Sequence, residues 1–133
     1  MSGTRVSADR AELERDLSRV ARRLRTAPPA RLRHDPVDRR SPVAATRAVL
    51  DSLAALAAGT DARGETEAPS WRAVPDVGSA ALGDQITVLG AELTRAVRGV
   101  ADAEPIWAAE GRITLGEALG ALAADLRDLR MLL

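Results

Sequence analysis

The chain contains no cysteine, lysine, asparagine, tyrosine or phenylalanine, and its aromatic side chains are limited to Trp71 and Trp107. The lack of cysteine excludes disulfide bonds and thiolate metal sites. The scarcity of aromatic residues predicts a core of leucine, valine, isoleucine and alanine. His34 is the only histidine, and Asp35 and Asp38 follow it in a proline-rich connector. This is a weak set of metal ligands, so we expect a solvated histidine and no metal or other cofactor.

Long hydrophobic runs are also missing. The first ten residues, "MSGTRVSADR", contain no apolar stretch, so no signal peptide is predicted. The most apolar segment is "RRSPVAATRAVLDSLAALAA", residues 39–58, but Arg47 and Asp51 interrupt it. We therefore predict an amphipathic helix there, no membrane-spanning segment, and a cytoplasmic protein.

Charge is balanced overall but not along the chain. Every basic residue except His34 is arginine. We attribute this composition first to the codon usage of a GC-rich bacterial genome and only second to a chemical role of the arginines. Residues 1–50 carry twelve arginines against six acidic residues, and residues 51–133 carry seven against thirteen. The two halves either face each other within one fold, or the basic half faces an external anion. A net charge of zero favours the first interpretation, because a neutral protein attracts nucleic acid only weakly at long range.

Apolar residues recur with a helical period in four segments, and no segment shows sustained strand alternation. This pattern predicts helices over residues 7–26, 42–58, 79–102 and 114–132, with a loop over 59–77. Residues 1–6 are expected to be disordered, and residues 7–133 to form a single domain. Four amphipathic helices with narrow leucine stripes predict an all-α fold, a four-helix bundle in antiparallel up-down-up-down order with long connectors.

Helix ends carry recognisable capping residues. Ser7 is the predicted N-cap of the first helix, and Ser41, followed by a proline, caps the second. Gly59 is the predicted end of the second helix. Thr114 and Glu117 have the spacing of a capping box at the start of the fourth.

Two connectors carry the tryptophans. Trp71, between Pro69 and Pro75, is expected to pin the 59–77 loop across the helices. The segment "AEPIWAAEGRI", residues 103–113, is predicted to be a second connector with at most one helical turn after Pro105. The 59–77 loop is long for a compact domain, and loops of that length are functional or mobile.

No pattern of reactive residues predicts catalysis. Only His34 could act as an imidazole base, and no serine lies in a nucleophile-elbow motif. The glycines form no phosphate-binding loop, because no predicted strand precedes them. We therefore expect a protein that is not an enzyme.

Arginines of the first helix and the connector after it are the first candidate contact site. They are Arg15, Arg19, Arg22, Arg23, Arg31, Arg33, Arg39 and Arg40. Such a patch could bind phosphates or a protein partner. It could also be a solvated rim that pairs with acidic residues of the second half. No stacking aromatic residue accompanies it, which disfavours nucleic-acid binding.

A second candidate contact site joins two glycines to the end of the chain. Gly83 and Gly90 lie seven residues apart beside the apolar stripe of the third helix. One interpretation is that the backbone closely approaches a neighbouring helix or a second copy of the chain. The other is that these are surface positions at which selection on the residue type is weak. Leu129, Met131 and Leu132 give the last helix apolar residues on more than one face, which indicates a further buried or partner-facing surface.

These observations predict a small non-catalytic helical interaction module that self-associates or docks a protein partner. One alternative is a nucleic-acid-associated regulatory protein that uses the arginine-rich first helix and connector. A second alternative is a helical bundle that binds a small ligand in a pocket under the Trp71 loop.

Overall fold

The structure is a computed structural model that describes residues 9–33 and 41–133, without the side chain of Arg33. The predicted disordered N-terminus, Ser7 and His34 lie outside the described residues. Helix makes up 67% of the structure, which confirms the all-α prediction in its main point, and a two-stranded sheet is added to it. The helices are α1 (Arg10–Thr26), α2 (Pro29–Arg33), α3 (Pro42–Asp61), α4 (Leu82–Val97) and α5 (Leu115–Leu132).

Three of the long helices begin at side-chain caps. The Asp9 carboxylate accepts hydrogen bonds from the main-chain N–H groups of residues 11 and 12, so α1 begins after Asp9. Ser41 caps α3 as predicted. Both halves of the predicted Thr114–Glu117 capping box are present at the start of α5. Asp9 is extended, so the helix start predicted at residue 7 is wrong by a few residues.

The bounds of three segments differ from the prediction. Helix α3 continues past Gly59 to Asp61, because Gly59 sits inside the helix at a close packing contact. Helix α4 ends at Val97, five residues early, because Gly99 adopts a left-handed φ of 75° and turns the chain. The short helix α2 was not predicted; it opens with Pro29, whose fixed φ suits a first helical turn.

The segment predicted as a connector with a helical turn after Pro105 is a β-hairpin instead. Strands β1 (Pro105–Ala108) and β2 (Gly111–Thr114) pair antiparallel, with Pro105 opposite Thr114 and Ala108 opposite Gly111. Ile106 is buried in the core with 1% of its surface exposed. Each strand has only four residues, too few for the alternation to stand out in the sequence.

The long helices pack in pairs, α1 against α4 and α5, and α3 against α4 and α5. Helices α1 and α4 are antiparallel. Arg10 at the start of α1 donates to the main-chain oxygens of Val97 and Val100 at the end of α4. Arg25 near the end of α1 pairs with Asp84 at the start of α4.

Helices α3 and α4 run in the same direction, so the predicted up-down-up-down order is wrong. Arg47 near the start of α3 pairs with Asp76, just before α4, and Arg95 near the end of α4 pairs with Asp61 at the end of α3. The reason is the connector 62–78. It is largely extended, and its length allows it to return along the helices before α4 begins.

The core is aliphatic, as predicted. Its largest fully buried side chains are Leu50, Leu53, Leu82, Ile86, Leu93, Ile106, Leu115, Leu119, Leu122, Leu126, Leu129 and Val20. Thr46 and Thr60 are buried with them, and each hydroxyl donates to the carbonyl four residues earlier in α3. These bonds satisfy the hydroxyl groups, so the two threonines bring little polar cost into the core.

By length and composition, α3 is the one helix among the described residues that could cross a membrane. Its most apolar 18-residue window has a mean hydropathy of 1.2. Half of that window is buried inside the structure. Val49, Leu50 and Leu53 are among the buried residues, as in a core helix.

Candidate functional site

A groove opens between the first half of α3 and the last turns of α5. We call it the acidic groove. It encloses about 410 Å³ and is lined by Ala45, Ala48, Val49, Asp125, Asp128, Leu129, Met131 and Leu132. Ala45 and Ala48 have small side chains, so they leave a gap between α3 and α5 that larger side chains would fill.

The structure gives the predicted C-terminal contact residues separate roles. Leu129 is 1% exposed and belongs to the core. Leu132 is partly buried at the groove wall, and Met131 is 86% exposed beside it. Met131 is the most exposed large apolar residue among those that the structure describes. A flexible thioether beside an apolar groove is well suited to contact with a partner.

The rim of the groove is negatively charged. Asp125 and Asp128 are exposed and form no ion pair with any arginine in the described ranges. Both lie on α5 within the lining of the groove. The groove therefore presents small apolar side chains together with two carboxylates that have no ion-pair partner among the described residues.

The predicted contact glycines are used inside the chain. A Cβ on Gly83 would lie 2.8 Å from the carbonyl oxygen of Ala21, and one on Gly90 would lie 3.2 Å from a methyl carbon of Leu17. Both glycines are buried where α4 crosses α1. Of the interpretations that the sequence left open, the structure shows close approach to a neighbouring helix at these two positions.

The predicted arginine site divides into paired and less constrained side chains. Arg15 pairs with Glu12 at 3.0 Å, and Arg19 lies 3.9 Å from the other oxygen of Glu12. Arg22 is exposed and has no ion pair among the described residues. Arg23 donates a long hydrogen bond of 3.5 Å to a main-chain oxygen of α5. We call these four exposed arginines of α1 the arginine face.

The remaining predicted arginines lie elsewhere. Arg31 on α2 donates to the main-chain oxygen of Leu133 at 2.9 Å, which ties α2 to the end of α5. Arg39, Arg40 and the side chain of Arg33 lie outside the described residues. The structure thus describes only part of the predicted patch.

Asp16 is a buried acid that the sequence did not single out. Its carboxylate is 7% exposed and accepts hydrogen bonds of 2.9 Å from Arg19 and from Arg130 on α5. A buried carboxylate is stable only with such partners. Together with the Arg10–Asp102 pair at 2.7 Å, it shows that residues from the two halves of the chain pair with each other inside the fold.

A second cavity lies between α3 and α4 under the connector, where the sequence placed a pocket near Trp71. It encloses about 520 Å³; its lining includes Ala54, Ala58, Leu89 and Arg95 together with residues 70–75. Trp71 is 39% exposed at its edge. Alanines, Leu89 and Trp71 form the apolar part of its lining, and Asp61, Arg72, Glu92 and Arg95 add charged side chains.

Trp107 and Arg112 of the hairpin hold the start of the 62–78 connector. The sequence predicted Trp71 as the residue that pins this loop. The Arg112 guanidinium stacks 4.0 Å from the centre of the Trp107 ring. It also donates to the main-chain oxygens of Arg63 and Glu65, and the Trp107 indole N–H donates to Glu65 as well. Because hydrogen-bond partners more than 40 residues apart leave no local signal, the sequence could not show this anchor.

The described residues contain no group of three or more histidine and acidic side chains that could hold a metal ion. The acidic groove and the cavity beside Trp71 are therefore lined by apolar and charged side chains without a cluster of metal ligands. The chain matches no known protein-family model, no curated protein and no solved structure.

Proposed function

We propose that this chain is a non-catalytic helical interaction module that self-associates through the acidic groove. The observation that supports the proposal most is the exposure of Met131 beside an apolar, helix-lined groove. Full burial of an exposed methionine side chain contributes roughly 1.5–3 kcal/mol before association costs, and Met131 is 86% exposed. Two helices that leave a groove between them can accept the ridge of a third helix.

We also propose that α1, α3, α4 and α5 form one four-helix-bundle domain. The pairwise packing supports this arrangement, because α1 and α3 each contact both α4 and α5. In such a bundle α1 and α3 lie on opposite corners. The outer side of α1 and the acidic groove of α3 and α5 then face different directions.

Size-exclusion chromatography with light scattering tests the interaction. The wild-type chain should exceed its monomer mass of 14.0 kDa increasingly as its concentration rises. Met131→Ala should lie closer to 14.0 kDa at each concentration, because it removes the exposed apolar side chain that the contact buries.

Val88→Ala is the matched control. Val88 is 57% exposed on α4, outside the acidic groove, so the same type of change there should leave association unaltered. Equal behaviour of the Met131 and Val88 variants would contradict the assignment of the groove. A monomeric wild type at high micromolar concentration would contradict self-association itself.

The cavity beside Trp71 supports a second candidate function, the binding of a small ligand. Its volume of about 520 Å³ falls within the usual range for ligand pockets. Titration of a hydrophobic naphthalene-sulfonate dye should raise the dye's own emission on binding, and Ala58→Trp should block the cavity and abolish that rise. Dye binding that is unchanged by Ala58→Trp would rule out this cavity as the dye site.

A further inference from the structure

The acidic groove and the arginine face have complementary charges. The groove carries Asp125 and Asp128 without cationic partners among the described residues, whereas α1 carries six arginines and three acids. Arg15 and Arg22 form no ion pair with the groove carboxylates of the same molecule, and in the proposed bundle α1 and α3 lie on opposite corners, so one molecule cannot bring these two arginines to its own groove. Two copies can do so.

The surface of α1 also has a shape that accepts a protruding side chain. A shallow depression is lined by Ala11, Glu14, Arg15, Ser18, Arg19 and Arg22. Arg15, Ser18, Arg19 and Arg22 have the i, i+3, i+4, i+7 spacing of the hole that receives a knob between packed helices. Ser18 is small, so the floor of the depression is open between the arginine stems.

We propose that the acidic groove binds the arginine face of a second copy of this chain. In this contact Met131 enters the hole around Ser18, and Arg15 and Arg22 pair with Asp125 and Asp128. Arg22 forms no ion pair in the described part of one chain and requires no exchange of partners. The inference rests on the proposed function and names the partner surface of the same groove.

Such a contact joins two different surfaces and does not close on itself in a dimer. A contact of this type leads to rings or open chains of copies rather than a two-fold dimer. Because its ion pairs lie near solvent, added salt should weaken it. The arrangement therefore predicts that, at low salt, the mass rises with concentration beyond that of a dimer.

Paired charge reversals test the proposal by light scattering. One variant reverses the groove, Asp125→Arg with Asp128→Arg, and a second reverses the helix, Arg15→Glu with Arg22→Glu. Each alone should stay near the monomer mass of 14.0 kDa. An equimolar mixture of the two should associate, because every groove then meets a helix of opposite charge.

A third variant, Arg72→Glu with Arg98→Glu, is the control for the helix reversal. It changes the net charge by the same amount at two exposed arginines outside the arginine face and should associate like the wild type. Circular dichroism of each variant checks that its helices are retained. Restored association in the mixture also requires that both variants fold.

The outcomes separate this inference from the proposed function. Wild-type association that requires Met131 but survives the helix reversal would overturn the role of α1 and leave the groove assignment intact. A mixture that stays monomeric would also overturn the inference. A monomeric wild type would overturn the proposed self-association as well.

Discussion

Gly59→Ala should destabilise the protein even though alanine is the better helix former. A Cβ built on Gly59 lies 2.0 Å from the carbonyl oxygen of Trp107 and 3.0 Å from its carbonyl carbon. An ordinary contact needs roughly 3.5 Å, so β1 would have to retreat from α3 by about 1.5 Å. The obstacle is main chain, which cannot turn aside as a flexible side chain can.

The hairpin resists this movement on both of its faces. Ile106 is buried with 1% exposure, and Trp107 and Arg112 hold the connector through three hydrogen bonds. Overpacking costs about 1–3 kcal/mol, and the gain in helix propensity is about 1 kcal/mol. With a main-chain obstacle we expect the upper end of this range, a net loss of about 2 kcal/mol.

Gly120→Ala on α5 provides the matched control. No heavy atom within 4 Å would meet its Cβ, so the helix-propensity gain of up to about 1 kcal/mol should remain. For a chain of this size 1 kcal/mol corresponds to roughly 3–5 °C in Tm. Thermal melts followed by circular dichroism should therefore show Gly59→Ala about 6–10 °C below the wild type and Gly120→Ala a few degrees above it. A Gly59→Ala melt at or above the wild type would refute the seating of the hairpin on α3.

Three further changes probe other contacts. Arg10→Met removes the bonds that hold the end of α4 and should lower the free energy of unfolding in urea by about 1–2 kcal/mol; an unchanged midpoint would show that these bonds are not made in solution. Ile106→Ala should cost about 2–4 kcal/mol in the same assay, because it leaves a cavity in the core, and a loss below half a kcal/mol would place the hairpin outside the core. Acrylamide should quench the Trp107→Phe variant, which retains Trp71, more than the Trp71→Phe variant; the reverse order would contradict the hydrogen-bonded setting of Trp107.

The sequence predicted the features that depend on local patterns. The capping box at Thr114 and the leucine seam of α5 are contained within 20 residues, and the serine cap of α3 at Ser41 within four. Helix directions depend instead on where the 62–78 connector lies, which no period in the sequence records. The sequence predicts a helix end at Gly59, but the glycine accommodates the main chain of Trp107 instead. In the sequence, a glycine at a helix end and a glycine at a packing contact look the same.

The candidate site was predictable in part for the same reason. Met131 and Leu132 stood out because they lie off the leucine seam, and a helical period is enough to show this. The groove itself is formed with α3, more than 70 residues earlier, and its alanines carry no signal of their own. The pairing of Asp16 with Arg130 spans 114 residues, so only the fold distinguishes this acid from a surface one.

Equilibrium sedimentation of the wild-type chain over a concentration series, at low and at molar salt, tests most directly whether copies associate through surfaces of opposite charge. At low salt we expect an average mass that rises above 14.0 kDa with concentration and continues to rise, and at molar salt a return toward 14.0 kDa. A mass of 14.0 kDa at every concentration and both salts would contradict the account.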